Sequence, residues 1–416
     1  MTTGVPDTRV VNGIFTPTLL CMMGIGRTGS GSFYQNYGFA TGPASRTNCG
    51  WYRELPSNSN FAARWDPLLT AILSKGQDDG AFNPSADGLI DVQSFNVDGF
   101  TLVCDQNWGA PVGEGLYNWL ALDGFQAELG SFLEPVGGAP PFDQDITGLS
   151  FGQPDGLILM SARETLPGGA PINNTLNPIG FVGTAFDQAM LLNVTQAGAL
   201  PRTLATYCRR GDAYANYIAS AAGGALETRA QVTAWLPTGF RLNWLSTTPT
   251  IARPIDFIAL KGLRVVTGAF TLDATLDAET VVSGLGGAPR ATFCVGAMRA
   301  TEDAAGVPDA STSTSIGAAN SAQMACMFGN TPAKFVAHAS RETYNVQPLN
   351  FANADSTRLR SLTAAGAVDG AYELTAVGGD GFTFTCRDSD TSNRFMVFAS
   401  LIEVGGAFNA PHLGTD

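Results

Sequence analysis

Apolar and polar residues alternate over a short stretch that the chain writes three times. The stretches are Gly99-Phe100-Thr101-Leu102-Val103-Cys104, Gly239-Phe240-Arg241-Leu242-Asn243-Trp244 and Gly381-Phe382-Thr383-Phe384-Thr385-Cys386, starting 140 and 142 residues apart. Period two places Phe100, Leu102 and Cys104, and their counterparts, on one face of a half-buried strand. A second apolar run follows in each copy, at 117–122, 255–260 and 395–400. It sets Trp119 and Ala121, Phe257 and Ala259, and Val397 and Ala399 in matching places. With polar loops at 106–116, 246–254 and 388–394, each pair of runs reads as a hairpin.

Other markers keep the same order. Gly-small-Phe triplets begin at Gly130, Gly268 and Gly406. Pro17, Pro154 and Pro289 each precede a continuous apolar run, and further proline-led segments run from Pro67 to Lys75, Pro201 to Arg209 and Pro332 to Ser340. Such ordered self-similarity is the signature of a tandem array. The best helical candidate, Phe61 to Ser74, aligns with segments that read as strand. The expectation is therefore all-β, with three tandem β-sandwich (jelly-roll-like) domains at 1–135, 136–275 and 276–416. Gly/Pro-rich passages at 133–141 and 271–284 mark the boundaries.

Composition narrows the function classes. Charged residues are only 14%, while 49 Gly and 23 Pro supply turns for many short strands. A net charge of −13 argues against a nucleic-acid partner, which needs basic patches. No apolar run approaches the roughly 20 residues of a membrane span, so no membrane insertion is expected. The opening Met1-Thr2-Thr3-Gly4 carries neither a basic nor an apolar signal region.

Seven cysteines, an odd number without CxxC spacing, read as reduced core filler. Cys104 and Cys386 occupy the slot that Trp244 fills in the middle copy, which makes it a core slot. With two histidines, His338 and His412, there is no cluster for metal binding or histidine-based catalysis. Carboxylates such as Asp105, Glu114, Glu227 and Asp256 are available to a glycosidase, but no spacing singles out a pair. Gly24 to Gly29 matches G-x-G-x-x-G, yet no helical period follows, so no nucleotide site is expected. Arg210-Gly211-Asp212 reads as a turn. No cofactor and no enzymatic activity are expected.

The segments after each first strand, 24–52, 161–180 and 297–323, read as long loops. The first holds Phe33, Tyr34, Tyr37, Phe39, Trp51 and Tyr52, whereas 304–322 has no aromatic residue. A contact surface toward another subunit is the preferred reading of these six rings. Packing within the chain comes second and a sugar-stacking platform third.

In the middle copy, Ile146-Thr147-Gly148-Leu149-Ser150-Phe151 is followed by Gln153-Pro154-Asp155-Gly156-Leu157-Ile158-Leu159-Met160-Ser161-Ala162-Arg163. This resembles the "I-T-G-L-G-F-x-P-D-L-V-x-I-K-x-R" pattern of structural proteins of tailed bacteriophages. In those proteins a "D-G-F-T-L" strand and a "Y-x-Y-x-A-L" strand follow. Asp98 to Leu102 and Asp380 to Phe384 match the second element; the first and third copies depart from the opening pattern. The resemblance implies a virion component of tail, fibre or minor structural type and transfers no catalytic residue. The expectation is a non-enzymatic structural protein, tail-fibre, tail-associated or head-decorating. It would be assembled in the host cytoplasm into the virion, in contact with other virion proteins and with copies of itself in a homo-oligomer. A carbohydrate-binding array for host-surface glycan and a polysaccharide depolymerase are the alternatives.

Overall fold

The computed structural model describes residues 7–27, 33–53, 60–65, 72–78, 84–106, 115–161, 174–196, 202–217, 226–246, 252–297, 299–304, 309–313, 322–329, 335–341, 358–362, 368–404 and 412–415. Every regular element among them is a β-strand, and the strands form six antiparallel sheets.

The first copy contains β1 (Asp7–Val11), β2 (Leu19–Arg27), β3 (Phe33–Gly42), β4 (Ser45–Arg53), β5 (Asn60–Trp65), β6 (Leu73–Asp78), β7 (Pro84–Asn96), β8 (Gly99–Gln106) and β9 (Gly115–Leu122). The second contains β10 (Gln126–Leu133), β11 (Phe142–Thr147), β12 (Gly156–Ser161), β13 (Asn174–Val182), β14 (Gln188–Gln196), β15 (Arg202–Arg210), β16 (Tyr214–Tyr217), β17 (Leu226–Leu236), β18 (Gly239–Trp244) and β19 (Pro254–Lys261). In the third are β20 (Leu263–Leu272), β21 (Glu279–Val282), β22 (Pro289–Ala297), β23 (Asp309–Ser313), β24 (Ala322–Gly329), β25 (Phe335–Arg341), β26 (Arg358–Leu362), β27 (Val368–Gly378), β28 (Gly381–Asp388) and β29 (Arg394–Glu403), followed by β30 (His412–Thr415).

One strand order recurs. The outer sheets run β1-β8-β7-β6, β11-β18-β17-β16 and β21-β28-β27-β26. The inner sheets run β9-β2-β3-β4-β5, β19-β12-β13-β14-β15 and β29-β22-β24-β25. Each copy is thus two meanders, and a long-range pair closes each of them, such as β1 on β8 and β2 on β9.

The glycine-started alternation is the most regular part. A side-chain carbon at Gly99, Gly239 or Gly381 would lie 1.8 Å from the carbonyl oxygen of Val11, Ile146 or Val282 respectively, so only glycine lets the neighbouring strand approach. Each hairpin carries a β-bulge at the same place, between Val92 and Ser94, Val232 and Ala234, and Leu374 and Ala376. The core slot is filled by complementary sizes across the ladder. Cys104 faces Ile90, Trp244 faces Ala230 and Cys386 faces Tyr372, all buried. Cys21, Cys104, Cys208, Cys294, Cys326 and Cys386 are buried.

The first residue after each glycine meets a ring of the last strand of its copy, edge to face. Phe100 and Trp119 lie 5.1 Å apart between centroids, Phe240 and Phe257 5.3 Å, and Phe382 and Phe398 5.6 Å. Such pairs contribute about 0.5–1.5 kcal/mol beyond area burial. They also correct the alignment of the last runs. Phe257 corresponds to Phe398 and not Val397, so Ala259 corresponds to Ser400 and not Ala399. Ala259 lies against the interior of its own sandwich, whereas Ala399 lies on the opposite face. A one-residue slip exchanges the two faces of a strand.

The inner sheets are apolar on both faces. In β2, Leu20 and Met22 pack inside the first sandwich, while Leu19, Cys21 and Met23 face a cluster shared by all three copies. In β12, Leu157 and Leu159 face the sandwich and Ile158 and Met160 the shared cluster. That is why the proline-led runs are continuously apolar, whereas the glycine-started runs alternate.

β10 pairs with β19, and β20 with β29, after the turns at 123–125 and at 262. β23 extends the second copy's inner sheet by pairing with β15. The described parts of the proline-led segments, 73–75, 202–209 and 335–340, fall on β6, β15 and β25, at different positions in the strand order; the rest of these segments lies outside the described residues. The helical candidate Phe61 to Ser74 spans parts of β5 and β6.

Phe240→Ala is expected to cost about 3–5 kcal/mol, from lost transfer energy plus a cavity beneath Phe132 and Phe257. Gly239→Ala should destabilise as well, because the backbone of Ile146 must move. Chemical denaturation midpoints check both, and an unchanged midpoint in either variant contradicts the packing described.

Candidate functional site

The three inner sheets meet at one junction, and two of the six singled-out aromatic residues lie in it. Tyr37 and Phe39 on β3 are 5% and 4% exposed and belong to the shared cluster. They line a small cavity together with Ile179 and Phe181 of the second copy and Phe293 and Met327 of the third. The Phe39 and Phe293 ring centroids are 6.5 Å apart.

The registers explain why rings stand there. Tyr37 lies opposite Met23, Ile179 opposite Met160 and Ala325 opposite Val295. Phe39, Phe181 and Met327 hold the next matching position. The first copy supplies Tyr37 where the third supplies the small Ala325, and close packing needs such compensation. For Tyr37 and Phe39 the contact is therefore internal, between copies of one chain. The expected loop at 24–52 is largely strand, since β3 and β4 form a hairpin within it. Phe33, Tyr34, Trp51 and Tyr52 lie on these strands, with Tyr34 paired to Tyr52 and Trp51 to Gln35. Their side chains lie outside the described residues.

The polar links between copies range from buried to exposed. Thr47 on β4 donates from Oγ1 to Asp256 Oδ2 on β19 at 2.7 Å. Between the second and third copies, Thr184 donates to the Asp155 carbonyl at 2.6 Å and accepts from the Val265 amide at 2.9 Å. The Thr267 amide donates to Asp187. Asp303 accepts from the Cys208 amide at 2.6 Å and pairs with Arg299 at 2.6 Å. Arg210 forks onto Glu302 with bonds of 3.1 and 2.9 Å. The Arg-Gly-Asp tripeptide is accordingly a turn: Gly211 has a φ of +85°, and buried Asp212 accepts from Tyr207 at 2.5 Å and Arg229 at 2.8 Å.

A second feature was missed in sequence. Arg253 and Arg394 each stand four residues before the ring on the last strand, and each is buried between two carboxylates. Arg253 meets Glu227 at 2.6 Å and Glu134 at 3.3 Å. Arg394 meets Asp369 at 2.7 Å and also pairs with Asp390. Asn216 and Thr228 donate to Glu134 at 3.2 and 3.0 Å; Ser361 and Tyr372 donate to Asp390, the latter at 2.8 Å. The repeated Arg-x-x-x-Phe spacing, with an acid one residue into β17 and β27, was the available signal. Gly115 holds that place in the first copy.

Glu134 and Asp390 shift in opposite senses. Burial pushes the Glu134 carboxyl above its ordinary 4.5, and Arg253 with the two hydrogen bonds pulls it back only in part. Burial also pushes Asp390 up, but hydrogen bonds from Arg394 and Ser361 outweigh it, so Asp390 sits below its ordinary 3.8. Such partnered clusters act as struts between strands. Among the described residues no group of three or more His, Cys, Asp or Glu is placed to hold a metal ion. No family model matches the chain, and no curated protein matches it.

Arg253→Ala leaves two buried carboxylates without their cation and should cost about 3–5 kcal/mol. Glu134 has a raised folded value, so its contribution is full below pH 4.5 and is lost as pH rises through that value. Glu134→Gln should remove this decline, which denaturation midpoints at pH 4.5 and pH 7 will show. Asp390 contributes above pH 3.8 and loses its contribution as pH falls through its lowered value.

Proposed function

We propose that this protein is a non-enzymatic structural component of a tailed-bacteriophage particle, tail-fibre, tail-associated or head-decorating in position. The observation that carries the reading is the shared core. Three sandwiches bury one continuous apolar cluster between them, which suits a body that transmits force or holds a fixed shape more than three independent binding modules on linkers. The buried charges support it, because both arginine clusters are engaged in ion pairs within the chain. The resemblance of Ile146 to Arg163 and of the Gly-Phe strands to virion proteins points the same way. In this role the protein makes assembly contacts with other virion proteins and with its own copies, and attachment to host glycan is a secondary role. The glycan-array alternative loses two of its six rings, since Tyr37 and Phe39 are buried.

Purified particles should contain the chain at a fixed copy number, measured by quantitative mass spectrometry. Substoichiometric, preparation-dependent recovery would sink the structural reading. Joint replacement of Tyr34 and Trp51 by serine should reduce incorporation into particles while leaving the melting curve in place. Unimpaired incorporation would remove these two residues from the assembly surface.

A further inference from the structure

We propose that the outer edge of β9 is a strand-acceptor site, that residues 412–415 are the extended peptide it takes, and that Gly414 is the feature by which it selects that peptide. In the second copy the edge beside the last strand is covered by β10 on β19, and in the third by β20 on β29. In the first copy it is covered by β30, from beyond the third copy. β10 lies against β3 and β4, β20 against β13 and β14, and β30 against β24. The three joints therefore follow one scheme, and β30 supplies the strand joint between the third copy and the first.

The joints share a chemical requirement. Gly130 stands opposite Phe257, where a side-chain carbon would come within 2.3 Å of the ring. Gly268 stands opposite Phe398, with a corresponding approach of 2.9 Å. The register of β30 sets Gly414 opposite Trp119, the ring that packs on Phe100. Main-chain hydrogen bonds supply affinity for any extended segment, and the large ring supplies selectivity by admitting glycine alone at that position.

The third joint differs in how it is reached. β10 follows β9 across 123–125, and β20 follows β19 across Gly262, so those two joints form between segments that the chain already holds together. β30 is joined to β29 through 404–411 and is four residues long, against eight for β10 and ten for β20. Formation of the third joint is thus a binding step between a short peptide and a preformed edge. It does not rest on the particle role.

The test uses the full chain carrying Gly414→Val, with Thr415→Val as the control, and follows amide hydrogen exchange. Exchange at 118–121 should quicken by roughly tenfold or more in Gly414→Val while 255–260 and 395–400 keep wild-type rates, and Thr415→Val should behave as wild type. A synthetic peptide of residues 409–416 added to the Gly414→Val protein should restore protection, and the same peptide carrying Gly414→Val should not. Unchanged protection of 118–121, equal loss in all three copies, or equal rescue by both peptides overturns the proposal. So does a wild-type species of twice the chain mass with β9 protected, because the occupant would then be a second copy's strand.

Discussion

The structure depends on one repeated contact, in which an aromatic ring on the last strand of each copy is held between a phenylalanine and a glycine. The phenylalanine opens the alternating strand of the outer sheet: Phe100, Phe240 or Phe382. It meets Trp119, Phe257 or Phe398 edge to face, which ties the two sheets of the sandwich together. At Gly130 and Gly268 the ring leaves no room for a side chain on the strand beside it, and the register sets Gly414 opposite Trp119 in the same place. Since that neighbouring strand also touches an adjacent copy, the contact that builds each sandwich also couples it to the next.

From this coupling follows the character of the inner sheets. A sandwich that stood alone would show water one face of each sheet, and its strands would alternate throughout. Here the inner strands are apolar on both faces because a second apolar layer covers them, made from the other copies. The copies are unequal in detail, and the inequalities compensate. Tyr37 and Phe39 stand where the third copy has Ala325 and Met327, and Trp244 sits over Ala230 where Cys386 sits over Tyr372. Such matching makes the three copies one packed body.

The polar groups follow the same logic. A buried arginine requires carboxylates, and a buried carboxylate requires donors, so Arg253 and Arg394 each gather a cluster that pins strand ends together. Such groups resemble site chemistry in composition, but their geometry directs each atom at another part of the chain. Thr47 with Asp256, and Asp303 with Cys208, do the same between copies.

Much of the local structure was legible in the sequence. Period two identified the glycine-started strands, whose faces Phe100, Leu102, Phe240, Leu242, Phe382 and Phe384 are buried as that period requires. The all-β class and the threefold repetition were legible for the same reason: backbone periodicity and close-approach glycines are local properties. Alignment within a strand was not. Runs in which almost every residue is apolar carry no parity, so Ala399 was matched to Ala259 where Ser400 belongs, and only the ring contact settles which face is which. The destination of apolar residues was not legible either. Tyr37 and Phe39 look alike in sequence whether the apolar surface opposite belongs to another subunit or to residues far along the same chain. The partners of β23 and β30 and the acids around Arg253 and Arg394 were likewise decided by tertiary structure, since pairing across such separations depends on shape, register and burial that no local pattern records.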